Sequence, residues 1–321
     1  IKNGLADLTL SGNNTFSGAV NVLNGSLTTV GAGALGNASA VNVGLGASLN
    51  LGNSSSLASL TGSGSVNLGA GTNLSVGAGD ASSVFTGGLA GAGGLIKVGS
   101  GSLELAGING LTGNTLVNGG TLNVSGSLGS NLVQVNTGAT LTGTGSVLGA
   151  VTIANGGHLA GNSGSTLNLG SLVLNANSNL DVGLGSPATG GTALINVGGN
   201  LTLDGTLNVS DIGGFGAGVY RLIDYNGMLT DNGIVIGSLP GNMLPGDLQV
   251  QTAISQEINL LVGGEAADTE AVMPVLRCFA ENIVLTGALG SGHRMKLLHN
   301  FVSLGSVALL AEAAACAQRG G

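Results

Sequence analysis

The residues whose types and spacing come closest to chemistry are His158 and Ser163, the latter inside Gly161-Asn162-Ser163-Gly164-Ser165. A glycine-flanked serine with a histidine five residues upstream is the raw material of nucleophilic catalysis, but the histidine must be oriented by a carboxylate. No partner acid for His158 is evident in the sequence, so the segment reads as a chain corner. The other acids of this region, such as Asp181, Asp204 and Glu257, are isolated singles and do not offer the paired carboxylates of glycoside hydrolysis. Gly31-Ala32-Gly33-Ala34-Leu35-Gly36 has the glycine spacing of a dinucleotide fingerprint and comes after a strand-like stretch. The segment beyond it, Ala40-Val41-Asn42-Val43, alternates as a strand and not as a helix, and no acid near position 55 is available for a ribose. It reads as a β-turn. The Gly-Gly-x-Gly-x-Asp calcium repeat is absent, and neither a metal nor a cofactor is expected.

The elements around these residues must be unusual, because composition excludes an ordinary thick core. Of 321 residues, 63 are Gly, none is Trp and aromatics make up 2%, so the apolar side chains are mainly Val, Leu, Ile and Ala. Such residues suit a thin, stacked interior. Collagen is excluded by the 4 Pro and the lack of a strict three-residue glycine period, and disorder by a charge content of only 7%. Residues 1 to 262 hold 10 acids and 3 bases (Lys2, Lys97 and Arg221), which leaves no electrostatic footprint for nucleic acid or anionic lipid. The long apolar stretch 301–311 is too short to span a bilayer as a helix, and a secretory signal is expected upstream or already removed.

Self-similarity at a fixed offset is the informative signal. Residues 1 to 27 align without a gap on residues 96 to 122, an offset of 95, with Lys2/Lys97, Leu8/Leu103, Leu10/Leu105, Asn14/Asn109, Val22/Val117 and Gly25/Gly120 among the shared positions. A shorter unit recurs between them: an alternating apolar pair, a turn of Gly or Asn, and another alternating pair, as in Val66-Asn67-Leu68 and Leu74-Ser75-Val76. Period-two alternation means strands with one buried face, and turns at Asn118, Asn136, Asn155 and Asn175 give coils of about 18 to 21 residues. About 12 such coils, each strand pairing in parallel with its copy about 4.8 Å away, would form a rod on the order of 60 Å long. An antiparallel sandwich is the rival for Asn-Gly turns, but it does not predict a gapless 95-residue repeat. The expected fold is all-β over residues 1–262, a right-handed parallel β-helix (solenoid), followed over 263–321 by a short α/β tail with a long C-terminal helix.

The stretch from 93 to 124, GGLIKVGSGSLELAGINGLTGNTLVNGGTLNV, resembles the passenger-associated transport repeat of Gram-negative autotransporters, and residues 1 to 27 resemble a second copy with Phe16 at its aromatic position. Residues 196 to 262 are similar to the stretch that ends many such passengers. The resemblance implies a non-catalytic, adhesin-like or stalk-forming passenger, secreted or displayed at the cell surface. It also implies two partners: a host-surface or self-association ligand, and an outer-membrane translocator barrel in the full protein.

After Val262 the composition changes, with 4 bases and 5 acids in the last 59 residues and both cysteines, Cys278 and Cys316. The apolar pattern predicts a helix over 268–280, a strand over 282–286, a glycine loop over 287–292 and a helix over 293–318. Here GALGSGHRMKLLHNFVSLGSVALLAEA resembles the β-hydroxyacid dehydrogenase family, which includes 3-hydroxyisobutyrate and tartronate semialdehyde enzymes. The resemblance implies that Lys296 is a catalytic proton donor and that Gly290, Gly292 and Asn300 contact substrate, with NAD or NADP as cofactor and a cytoplasmic setting. The fragment lacks a nucleotide-binding half before it, so this is the alternative reading: an incomplete enzyme or fusion.

Overall fold

The structure, a computed structural model, describes residues 1–36, 40–187 and 191–262. The alternating apolar pattern folds into a parallel β-solenoid. Each regular coil contributes three short strands, as in Ser102–Leu105, Ile108–Leu111 and Thr115–Val117, so the cross-section is a triangle. The first face is a continuous 11-stranded sheet. The second and third faces merge into one 20-stranded sheet, because Ser146–Ile153 and Leu167–Leu174 run unbroken round the corner between them.

Register is set by the pattern. Leu103, Leu122, Leu141, Leu159, Leu180 and Leu207 are successive partners on the first face, and all six are buried. Shifting one strand by a residue would turn its whole apolar set outward, so every coil is locked to its neighbours. Phe85 is the largest fully buried side chain, and room for its ring is left at Gly87, where a Cβ would come within 2.7 Å of the ring's Cζ. Burial of each leucine contributes roughly 1.5–3 kcal/mol, so the thin core is stabilised by repetition and not by large side chains.

The coils meet their partners 18 residues on at Leu141/Leu159 and 21 on at Leu159/Leu180, as expected, but the spacing grows to 27 at Leu180/Leu207 and 29 at Leu207/Ile236. The extra residues leave the strands as loops, of which 185–187, 191–194 and 212–217 are among the described residues. Residues 1–262 are also not parallel throughout. Leu248–Gln251 and Glu257–Val262 form an antiparallel pair, and the latter strand runs antiparallel to Gly218–Tyr225, closing that end of the second face. This corrects the expectation of a single parallel helix up to residue 262: a final strand laid antiparallel covers the open edge with backbone pairing. The expected α/β tail and its long helix lie outside the described residues.

One corner is built entirely of glycine. Gly44, Gly64, Gly87, Gly107, Gly126 and Gly145 stack along the rod between the first and second faces, and a Cβ on any of the last five would overlap the carbonyl oxygen of the ladder glycine one coil earlier, well inside 3.0 Å. Those oxygens accept backbone bonds from the next coil, Ser127 N to Gly107 O at 3.0 Å and Ser146 N to Gly126 O at 2.9 Å. The close approach is therefore what lets adjacent corners pair.

Candidate functional site

The two polar residues that the 95-residue repeat places in register point inward. Lys97 has no exposed surface, and its Nζ donates to the carbonyl oxygens of Val98 at 2.6 Å, Gly99 at 3.0 Å and Gly119 at 3.1 Å. Lys2 repeats two of these contacts at equivalent positions, donating to Gly4 O and, at 2.8 Å, to Asn24 O. Each lysine thus ties its own corner to the corner of the following coil. Burial pulls the Lys97 ammonium below the usual lysine range, and Asp80 of the preceding coil partly opposes that shift. Asp80 is itself held low, first by the backbone N–H of Ser100 that it accepts at 2.7 Å. Asn109 is equally buried and bridges three coils: its Oδ1 accepts from Leu89 N at 3.0 Å, and its Nδ2 donates to Gly107 O and Ser127 O, both at 3.0 Å. Buried polar groups satisfied in this way fix register and are not presented to a ligand.

The two copies do not share a face. Leu8–Leu10 lies on the second face and its equivalent Ser102–Leu105 on the first, while Val20–Val22 lies on the first and Thr115–Val117 on the third. The offset of 95 is therefore not a whole number of coils, and the repeat carries its own corner with it wherever it falls.

His158 has a carboxylate after all. Its Nδ1 lies 2.6 Å from Asp181 Oδ2, one coil further on, and Asp181 Oδ1 accepts from Asn208 Nδ2 at 2.8 Å. This acid is not apparent from the sequence, because it is 23 residues away along the chain and only the coil length brings position 181 beside 158. The pair is still not a triad. Ser163 comes just after the strand His158–Asn162, and five residues at about 3.3 Å each put it roughly 16 Å along the strand from His158. Its Oγ accepts from Gly185 N at 3.3 Å, and Ser165 Oγ closes the local turn onto Asn162 O at 2.9 Å. The corner expected for this segment is what forms.

The glycine fingerprint at 31–36 is a turn, with Ala34 N bonded to Gly31 O at 3.2 Å and Gly36 N to Gly33 O at 2.8 Å. Among the described residues the only helical element is the three-residue 3-10 turn Pro245–Asp247, so no helix N-terminus is present here for a pyrophosphate. No group of three potential metal ligands occurs among the described residues. Lys296, Asn300, Gly290 and Gly292 lie outside the described residues.

What the solenoid presents outward is a set of polar rows. On the first face Ser102, Thr121, Thr140, His158, Asn179 and Thr206 are stacked in register, and beside them Val84, Glu104, Asn123 and Thr142. Between Thr61 and Thr142 these short side chains floor an open cleft of about 510 Å³. Glu104 is the one charged residue lining it, and its Oε1 accepts from Ser125 Oγ at 2.6 Å. All three cations among the described residues are engaged elsewhere: Lys2 and Lys97 on carbonyls, and Arg221 on Asp224 at 2.5 Å and Glu257 at 2.8 Å.

The stretches that carry the anchoring lysines and asparagines are the ones with known relatives: residues 1–29 and 95–124 each match the passenger-associated-transport-repeat model. The chain is similar to the Adhesin BmaC autotransporter of Brucella suis biovar 1 (strain 1330), with 50% identity over 109 residues, 32% of this chain and 3% of that protein. The C-terminal tail is similar to the 3-sulfolactaldehyde reductases of Escherichia coli (strain K12) and Shigella flexneri, with 39% identity over 62 residues, 19% of this chain and 21% of each reductase. The chain thus spans a small part of each relative it matches.

Proposed function

We propose that the solenoid is a non-catalytic segment of an autotransporter passenger, displayed at the surface of a Gram-negative cell as an adhesin-like or stalk module. In the full protein its partner for export is an outer-membrane translocator barrel. The observation that carries this reading is the pair of matched repeats, whose polar residues are consumed in joining coil to coil. A module built this way extends by adding coils, each one templating the next without distant chain pairing. It supplies length and outward faces, and chemistry is not required of it. The identity to an adhesin over 109 residues supports the adhesive variant. Proteinase K applied to intact cells that carry the natural gene tests the location. The solenoid is expected to be shaved from unbroken cells while a cytoplasmic marker survives; protection until lysis would contradict surface display.

A second reading is favoured by the likeness of the tail to the reductases. In it the chain ends in a piece of an NAD(P)-dependent β-hydroxyacid dehydrogenase, with Lys296 as proton donor and Gly290, Gly292 and Asn300 at the substrate. The passenger reading is preferred because the two matched repeats lie within the solenoid, and the glycine fingerprint at 31–36 is a turn.

A further inference from the structure

The cleft on the first face is an outward concavity with a definable chemistry, and it rests on the passenger reading for its biological setting. We propose that it binds an uncharged glycan, lying along the rod axis across the coils between Val84 and Thr142.

Charge decides first what is excluded. Among the described residues every cation is buried against carbonyls or paired with carboxylates, while Glu104 stands in the cleft as the one charged lining residue. An acidic polysaccharide, a nucleic acid or an anionic lipid would bring negative charge to a carboxylate with no compensating base. A neutral chain carries no such cost.

The donor and acceptor pattern decides next. Ser102, Thr121 and Thr142 present hydroxyls and Asn123 an amide, each able both to donate and to accept. Sugar hydroxyls have the same dual character, so either partner can adapt to the other. Glu104 accepts only; Ser125 occupies Oε1, and Oε2 remains for a sugar hydroxyl to donate to. Val84, which is 47% exposed, and the threonine methyls provide a narrow apolar strip for the C–H face of a pyranose ring.

Geometry decides orientation. Val84, Glu104, Asn123 and Thr142 come from four successive coils, so the row repeats about every 4.8 Å, which is near the length of one sugar in an extended chain. A peptide is disfavoured at this place, because the strands flooring the cleft are paired with parallel neighbours on both sides and offer no backbone edge for strand addition. The lining contains no aromatic ring, so no single subsite binds tightly and affinity must accumulate along several sugars.

The 321 residues contain no tryptophan, so Val84→Trp in this chain installs a single fluorescent reporter inside the cleft. The probes are the hexasaccharides of β-1,4-glucose, β-1,4-xylose, β-1,4-mannose and α-1,4-glucose, with hexagalacturonate as the acidic comparison and a neutral extended hexapeptide as the peptide comparison. At least one neutral hexasaccharide is expected to shift the emission at millimolar or lower concentration. Its affinity should fall at least fivefold on shortening to the trisaccharide and at least tenfold when Thr121→Val and Asn123→Leu are added. Isothermal titration of the chain without the tryptophan should give the same preferred sugar. No shift and no heat with any neutral glycan would overturn the proposal. So would equal binding of hexagalacturonate or the peptide, or indifference to the Thr121 and Asn123 changes. Far-ultraviolet circular dichroism of each variant, expected to retain the parent β signal, separates loss of the cleft from loss of the fold. A failure here with surface display intact would remove the ligand and leave the passenger reading standing.

Discussion

Gly107→Ala is expected to destabilise the solenoid by about 3–5 kcal/mol, at the upper end for overpacking, because the added methyl has backbone and not a flexible side chain in its way. The new Cβ would fall on the carbonyl oxygen of Gly87, while the carbonyl of Gly107 itself accepts from Ser127 N and from Asn109 Nδ2. Relief by moving the corner outward would therefore break pairing to the next coil and disturb the buried asparagine. Three residues on, Gly110 has nothing within 4 Å of an added Cβ, and Gly110→Ala is expected to change stability by less than about 0.5 kcal/mol. Urea unfolding followed by circular dichroism compares the two. Equal effects would mean that the corner is not packed as described.

The second large effect belongs to Lys97. Lys97→Met keeps the aliphatic length but removes the donor to Val98 O, Gly99 O and Gly119 O, and is expected to cost about 2–4 kcal/mol, since charge-assisted bonds are lost and acceptors are stranded at the corner. The direction of the shift sets its pH dependence. Burial lowers the folded-state pKa of Lys97 below the ordinary 10.5, so between those two values the unfolded chain binds more protons and stability rises with pH. The gain is complete above 10.5 and is lost as pH falls through the folded value. Tyr220 acts in the opposite sense, because burial raises its pKa above 10.0 and stability falls as the unfolded tyrosine ionises. Subtracting the Lys97→Met curve from that of the parent cancels Tyr220, and the difference should rise toward alkaline pH. A flat difference would show that the ammonium is not desolvated.

The solenoid is legible in the sequence because its signal is periodic: alternation marks the strands, turn spacing marks the coils, and the gapless 95-residue offset excludes accidental glycine content. What escapes the sequence is lateral. His158 and Asp181 meet only because one coil intervenes, and nothing local in GNSGS announces that partner. The corner glycines read as turn formers with positive φ, which holds for Gly25 at 65° and Gly120 at 60°, whereas the ladder from Gly44 to Gly145 is required for close approach between coils. The repeat itself suggests a stripe of equivalent residues, yet its copies are rotated by one face, because 95 residues do not close an integral number of coils. The antiparallel closure at 248–262 is hidden for a different reason: Leu248-Gln249-Val250 alternates just as a parallel strand does, and alternation carries no direction. The cleft is invisible because its floor is made of the Ser, Thr and Asn that the pattern assigns merely to the outward side.

Parallel stacking in the stated register is the claim on which all of this depends, and a disulfide across two coils tests it most directly. Gln134 and Thr152 are partners on the third face with outward side chains. With Cys278 and Cys316 replaced by serine, Gln134→Cys together with Thr152→Cys is expected to cross-link under mild oxidation, since in-register Cα atoms lie about 4.8 Å apart, within disulfide reach. Gln134→Cys with Ala154→Cys, two residues out of register and roughly 8 Å apart, should remain reduced. Cross-linking of the second pair in preference to the first, or of neither, would contradict the solenoid.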